Sequence, residues 1–168
     1  MGVGRTTSIR RIAAGDGPSL LAFYNGLSAD SKRTFRPLGI EAELNVCVGV
    51  IRDNHSAVDD KHDMVVVKAT QIIGWGFLHD LTSREPFLGL AIADEWQGRG
   101  LGGAVMNAVM AAGRARGLAK VSLAVVQDNA VARGMYERHG FVCSGDFIGE
   151  DALPYYRMVA HLGAETKP

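Results

Sequence analysis

The sequence predicts a mixed α/β (α+β) fold: a mostly antiparallel sheet of six to seven strands with helices on both faces, in a single domain over residues 1–168. Three observations predict it. Residues 64–69 (MVVVKA) and 71–79 (QIIGWGFLH) are two β-prone runs separated by a short turn, the pattern of a hairpin. Residues 87–93 (FLGLAIA) form a continuous apolar run, followed by a helical pattern over 100–116 and a second apolar run over 121–126, the order of a parallel strand–helix–strand unit. Residues 141–148 and 155–162 then read as a closing strand pair.

The remaining elements follow in order. Residues 8–14 (SIRRIAA) read as a first strand, and Pro18 suits the start of a helix over 19–27. A short helix over 31–35 stops before Pro37, because the residue preceding a proline avoids the helical region. Residues 44–51 are apolar enough for helix or strand; helix is favoured by the turn-rich stretch 52–63 that follows. In the 100–116 helix, Leu101, Val105, Val109 and Ala112 form the apolar stripe, Arg114 and Arg116 suit the negative end of the dipole, and Gly117 can end it. Asp128 or Asn129 can cap a helix over 130–139 that stops at Gly140.

Composition narrows the function classes. The chain has 168 residues with 47% hydrophobic content, enough for a substantial core. Eighteen Lys and Arg balance 18 Asp and Glu. A nucleic-acid partner is therefore not expected, since such partners select a basic excess or stripe. No run approaches the roughly 20 apolar residues of a membrane span, and residues 1–6 lack the apolar run of a secretory signal. Gly2 with Thr6 fits the loose myristoylation pattern, which is short enough to occur by chance. Cys47 and Cys143 have no metal-ligand spacing around them and read as reduced, mostly buried thiols of a cytoplasmic protein; no metal is expected.

The chemistry centres on Gln97-Gly98-Arg99-Gly100-Leu101-Gly102-Gly103, a loop between a buried strand and a helix. Glycines let backbone approach a ligand closely. The first amides of a helix lack intrahelical partners, and together with the dipole they form an anion site suited to a diphosphate. Arg99 can add a charge-assisted contact. Gly98-x-Gly100-x-x-Gly103, with Asp128 further on, also satisfies a dinucleotide fingerprint. Against that reading, residues 94–97 intervene after the strand, several strands precede the loop, and too little chain follows for a doubly wound domain.

With its second element, Asn129-Ala130-Val131-Ala132-Arg133-Gly134-Met135-Tyr136-Glu137-Arg138-His139-Gly140-Phe141, the sequence resembles the Gcn5-related N-acetyltransferases. The family's Gln/Arg-x-x-Gly-x-Gly/Ala hallmark stands here at residues 97–102, and the clear resemblance covers about 71–141. The resemblance implies acetyl-CoA, or another acyl-CoA, as co-substrate and a small-molecule or peptide amine as acceptor. Amides from Arg99 to Gly103 would hold the pyrophosphate. Backbone groups at Ala91, Ile92 and Ala93 would pair with the pantetheine arm, with an amide near Ile92 polarising the thioester carbonyl. Asn129 would contact the arm, and Tyr136 would protonate the departing thiolate. A tyrosine of pKa near 10 is protonated at neutral pH and suits that task. The same fold binding acyl-CoA without turnover is the alternative. Many relatives carry a Glu where Phe87 stands here; Glu85 is the first substitute base, followed by His79 and Asp80. Lys32, Arg33 and Arg36 would suit an anionic acceptor, or simply form a solvated face. Relatives are often dimers, so a homodimer is possible.

Overall fold

A computed structural model describes residues 6–163. The first strand, β1 (Thr7–Arg11), is followed by helices α1 (Gly17–Gly26), α2 (Ala29–Thr34) and α3 (Leu44–Asn54). Strands β2 (His62–Lys68), β3 (Gln71–His79) and β4 (Phe87–Ile92) lead through a short 3₁₀ turn (Asp94–Trp96) into α4 (Leu101–Ala115). Strand β5 (Lys120–Val126), helix α5 (Ala130–Arg138) and strands β6 (Val142–Ile148) and β7 (Pro154–His161) complete the chain. The myristoylation pattern at Gly2 lies outside the described residues.

The seven strands form one sheet in the order β1-β2-β3-β4-β5-β7-β6. Every neighbouring pair is antiparallel except β4 and β5, which are parallel. Strand alternation sends side chains to two cores. Leu88 and Ile92 of β4, with Val121, Leu123 and Val125 of β5, pack with Val105, Met106, Val109 and Met110 of α4 and Tyr136 of α5. Trp75 and Phe77 of β3 pack on the opposite face with Leu20, Phe23 and Tyr24 of α1, Phe35, and Cys47, Val50 and Ile51 of α3. Phe35 lies 5.6 Å from Trp75 and 6.0 Å from Phe77 between ring centroids, and so ties the end of α2 to the sheet.

Two expectations are corrected. The 87–93 run is not buried on both faces: Phe87 is 37% exposed and Gly89, Leu90 and Ala91 are half-buried. The reason is that β4 pairs with β5 only through Phe87 and Ser122 and then diverges, leaving its far side open. Cys47 is buried as expected, but Cys143 is exposed, because β6 is the edge strand and is exposed along its length. The ambiguous 44–51 segment is helical.

Candidate active site

The divergence of β4 from β5 makes a gap through the sheet, and the register identifies which backbone groups face it. Ala93 donates its amide to the Ile73 carbonyl (2.9 Å), and Ile92 lies opposite Gly74. Antiparallel hydrogen bonding alternates, so Ala91 and Ala93 are turned to β3, while Leu90 and Ile92 direct their amides toward the gap. This corrects the expectation that Ala91 and Ala93 offer backbone groups on the open side; Leu90 takes their place beside Ile92. The two-residue period of the strand carried that signal, since only every second residue can face the gap.

At the end of β4 the chain turns into α4. Gly98 and Gly100 have φ of 72° and 80°, and Gly100 is the N-cap of α4. An ideal Cβ on either meets no atom within 4 Å, so the positive φ rather than crowding requires glycine there. Gly102 serves a different purpose: a Cβ there would lie 3.2 Å from the Met135 sulfur, so α5 packs against α4 at that point. Among the described residues, no backbone or side-chain acceptor takes the amides of residues 98–103, so they are available to an anion.

The loop is tied down from behind. Gln97 directs its side chain inward, donating Nε2 to the Ile92 carbonyl (3.0 Å) and the Ser31 hydroxyl (3.3 Å), so it positions the loop rather than extending into the cradle. Asp94 accepts bonds from the Ser28 amide and the hydroxyls of Ser28 and Ser31 at the start of α2. Burial opposes its charge, but these hydrogen bonds outweigh it and hold the Asp94 carboxyl below the usual range. Arg99 rests over the Trp96 ring at 4.7 Å and donates to the Glu95 carbonyl; Lys68 lies on the same indole at 4.1 Å. Trp96 is therefore a packing residue that carries two cations beside the loop.

Tyr136 and Asn129 come from α5. Asn129 is its N-cap, accepting from the Ala132 amide at 3.2 Å. Tyr136 is 8% exposed, lies edge-on to Phe141, and lines a cavity of about 240 Å³ with Leu88, Gly89 and Leu90 of β4 and Ala124 of β5. No described residue hydrogen-bonds its hydroxyl. Burial pushes the phenol up to about 12, so it is protonated throughout the neutral range.

The other candidates separate. Glu85 lines an adjacent hollow with Phe87, Ser122 and Ala124, and pairs with Lys120 (3.5 Å) and Arg157 (3.8 Å). It does not share a wall with Tyr136. His79 faces inward: its Nε2 meets Oδ1 of fully buried Asp63 at 3.0 Å, and Trp75 donates to the other oxygen at 2.9 Å. Asp80 occupies a positive-φ turn. The cations near α2 each have a partner, which favours the solvated-face alternative over an anion receptor: Arg33 pairs with Asp128 (3.1 Å), Arg36 with Asp151 (2.9 Å), and Lys32 lies over Tyr24. Asp128 pairs with Arg33 at an exposed surface, and the mostly antiparallel sheet is not doubly wound, which removes the dinucleotide reading. Tyr155 lines the cavity, whereas Tyr156 turns to the α5 face beneath Arg133. Among the described residues, no cluster suits a metal ion and no helix is long and apolar enough to cross a membrane.

A sheet opened between two parallel strands, with a helix N-terminus at one end of the opening, defines an acyltransferase-type domain. The chain belongs to the acetyltransferase (GNAT) family, whose model matches residues 27–141. No curated protein matches the sequence. The fold is similar to that of a GNAT-family acetyltransferase from Streptococcus pneumoniae, with a TM-score of 0.80 and 21% identity, covering 94% of this chain and 100% of the other. It is also similar to spermidine N-acetyltransferase from Vibrio cholerae in complex with CoA and spermine (TM-score 0.75, 21% identity, coverage 93% and 95%). Ribosomal-protein-alanine N-acetyltransferase from Brucella melitensis shares the fold as well (0.77, 18%, 92% and 99%). Fold and family support acyl-CoA-dependent N-acetyltransfer as the general activity.

Proposed function

We propose that this chain transfers an acetyl group from acetyl-CoA to a primary amine by direct attack, with Tyr136 as the acid. The observation that carries the reading is the free set of amides at 98–103, placed at the end of a strand that leaves its parallel neighbour after one residue pair. Amides from Arg99 to Gly103 hold the diphosphate, with Gly98 and Gly100 supplying the turn and Leu101 beginning the helix. Leu90 and Ile92 offer their backbone to the arm, and the Ile92 amide polarises the thioester carbonyl. Asn129 caps α5 through Oδ1 and keeps its amide nitrogen for the arm.

The co-substrate supplies an activated acyl carbon and a thiolate leaving group. Tyr136 gives its hydroxyl proton to sulfur as the carbon–sulfur bond breaks, and regains one from nitrogen as the amide bond forms. Burial favours a neutral phenol, and the same dry surroundings favour a neutral thiol over a thiolate, so both ends of the transfer are matched. Glu85, paired with two cations outside the cavity wall, is proposed only as a relay through water. The chain is proposed to act in the cytoplasm, with no metal.

The test is a thermal-shift series followed by a thiol-release assay. Acetyl-CoA is expected to raise the melting temperature and NAD to leave it unchanged, because only a ligand of the folded state stabilises it. Amine-dependent thiol release then separates an enzyme from a protein that merely binds acyl-CoA. Protection by NAD alone, or binding without release across all amine classes, would overturn the proposal.

A further inference from the structure

The acceptor side of the cavity has a chemical character of its own. Phe35, Phe77, Phe87, Tyr136 and Tyr155 all line it. The register explains the arrangement: Phe77 lies opposite Gly89, and a Cβ at Gly89 would meet the Phe77 ring at 2.4 Å, so the missing side chain lets the ring lie flat along the strand. Phe87 is on the same face, two residues earlier, where it adds an aromatic wall. Tyr155 stacks on Phe147 with centroids 5.2 Å apart.

Among the described residues, the only charged one lining the cavity is Arg36, which Asp151 neutralises at 2.9 Å; Tyr155 donates to the same carboxylate at 2.6 Å. Glu85, in the neighbouring hollow, is likewise occupied by Lys120 and Arg157. Among the described residues lining the cavity there is no carboxylate to receive a polycation. An anionic acceptor would have to displace Asp151. At about 240 Å³ the cavity is smaller than a drug-sized site, so the part of the acceptor that enters it is small.

We infer that the acceptor is a small primary monoamine carrying an aromatic ring, of the arylalkylamine class, rather than a polyamine, an amino acid or a peptide terminus. This rests on the function proposed above. The ring is received by Phe77, Phe87 and Tyr155. The amine is stripped of water between aromatic faces, which attract a cation on arrival but offer no carboxylate to keep it charged. Burial without a counter-ion lowers the pKa of an ammonium from its usual value near 10.4, so the nucleophile is delivered neutral without a dedicated base. The aromatic residue at 87 and the lack of a carboxylate among the described lining residues thus have one explanation.

The test compares kcat/KM for 2-phenylethylamine, propylamine, spermidine and an alanine-initiated hexapeptide, with acetyl-CoA affinity measured separately by calorimetry. The aromatic amine is expected to exceed each of the others by at least about tenfold. In Phe87→Glu, a change at a partly exposed position, that preference is expected to disappear while acetyl-CoA affinity is retained. Equal or better use of spermidine or the peptide, acetyl-CoA binding with no acetylation of the aromatic amine, or an unchanged preference in Phe87→Glu would each overturn the inference. Failure to bind acetyl-CoA at all would instead remove the proposed function beneath it.

Discussion

Tyr136 is the residue on which the proposed chemistry converges. Its ring packs in the core against Phe141 while its hydroxyl lacks a partner among the described residues, which leaves that hydroxyl open to the proposed ligand. Tyr136→Phe is expected to lower kcat by about a hundredfold or more with little change in acetyl-CoA affinity, read by thiol release and calorimetry. Unaltered kcat would remove Tyr136 as the acid. The same residue has an alkaline signature. Its folded pKa of about 12 exceeds the unfolded value near 10, so its contribution to stability is fully present below pH 10 and is lost as pH rises through 12. Between those limits the wild type should lose roughly 1.4 kcal/mol per pH unit more than Tyr136→Phe in urea unfolding. The sequence made this tyrosine and the glycines legible, because they stand at fixed spacing along one stretch of chain. It did not reveal the Arg36–Asp151–Tyr155 contact, which joins residues far apart in sequence.

At the scale of elements, the cradle depends on how closely α4 approaches the sheet. Gly76 of β3 is the contact: a Cβ there would meet Val105 Cγ1 at 2.3 Å, with Leu90 Cβ and Val109 Cγ1 at 3.5 Å. Gly76→Ala must push α4 away from β3 and β4, and overpacking of this kind costs about 1–3 kcal/mol. A lower melting temperature together with weaker acetyl-CoA binding is the expected result; a wild-type melting temperature would show that the helix has room. Most elements were legible from periodicity and punctuation. The 44–54 helix was ambiguous because Val46 and Val48 are exposed on an amphipathic helix whose apolar residues mimic a strand run. The half-open state of β4 was not legible, because an apolar run looks the same whether a neighbouring strand or a ligand covers it.

Across the whole molecule, α2 bridges the two halves of the sheet. Its N-terminus is bonded to Asp94 at the end of β4, and beyond it Arg33 and Arg36 reach Asp128 and Asp151 on the far side of the gap. These are partly exposed ion pairs screened by solvent, so they orient the mouth more than they stabilise the fold. Arg36→Ala is accordingly expected to change the melting temperature little, to raise KM for the amine, and to leave acetyl-CoA affinity intact. Loss of acetyl-CoA binding in that variant would place Arg36 in the cradle instead. The overall order of strands was legible because the strand–helix–strand unit lies between two hairpin-like pairs, whereas closure across the gap belongs to surface charges that obey no sequence period.

The most direct measurement is a coenzyme A titration followed by backbone amide chemical shifts. The largest shifts are expected at residues 98–103, with Leu90 and Ile92 moving and Ala93 held by its bond to Ile73. A saturating titration that left residues 98–103 unmoved while shifting amides elsewhere would contradict the diphosphate cradle.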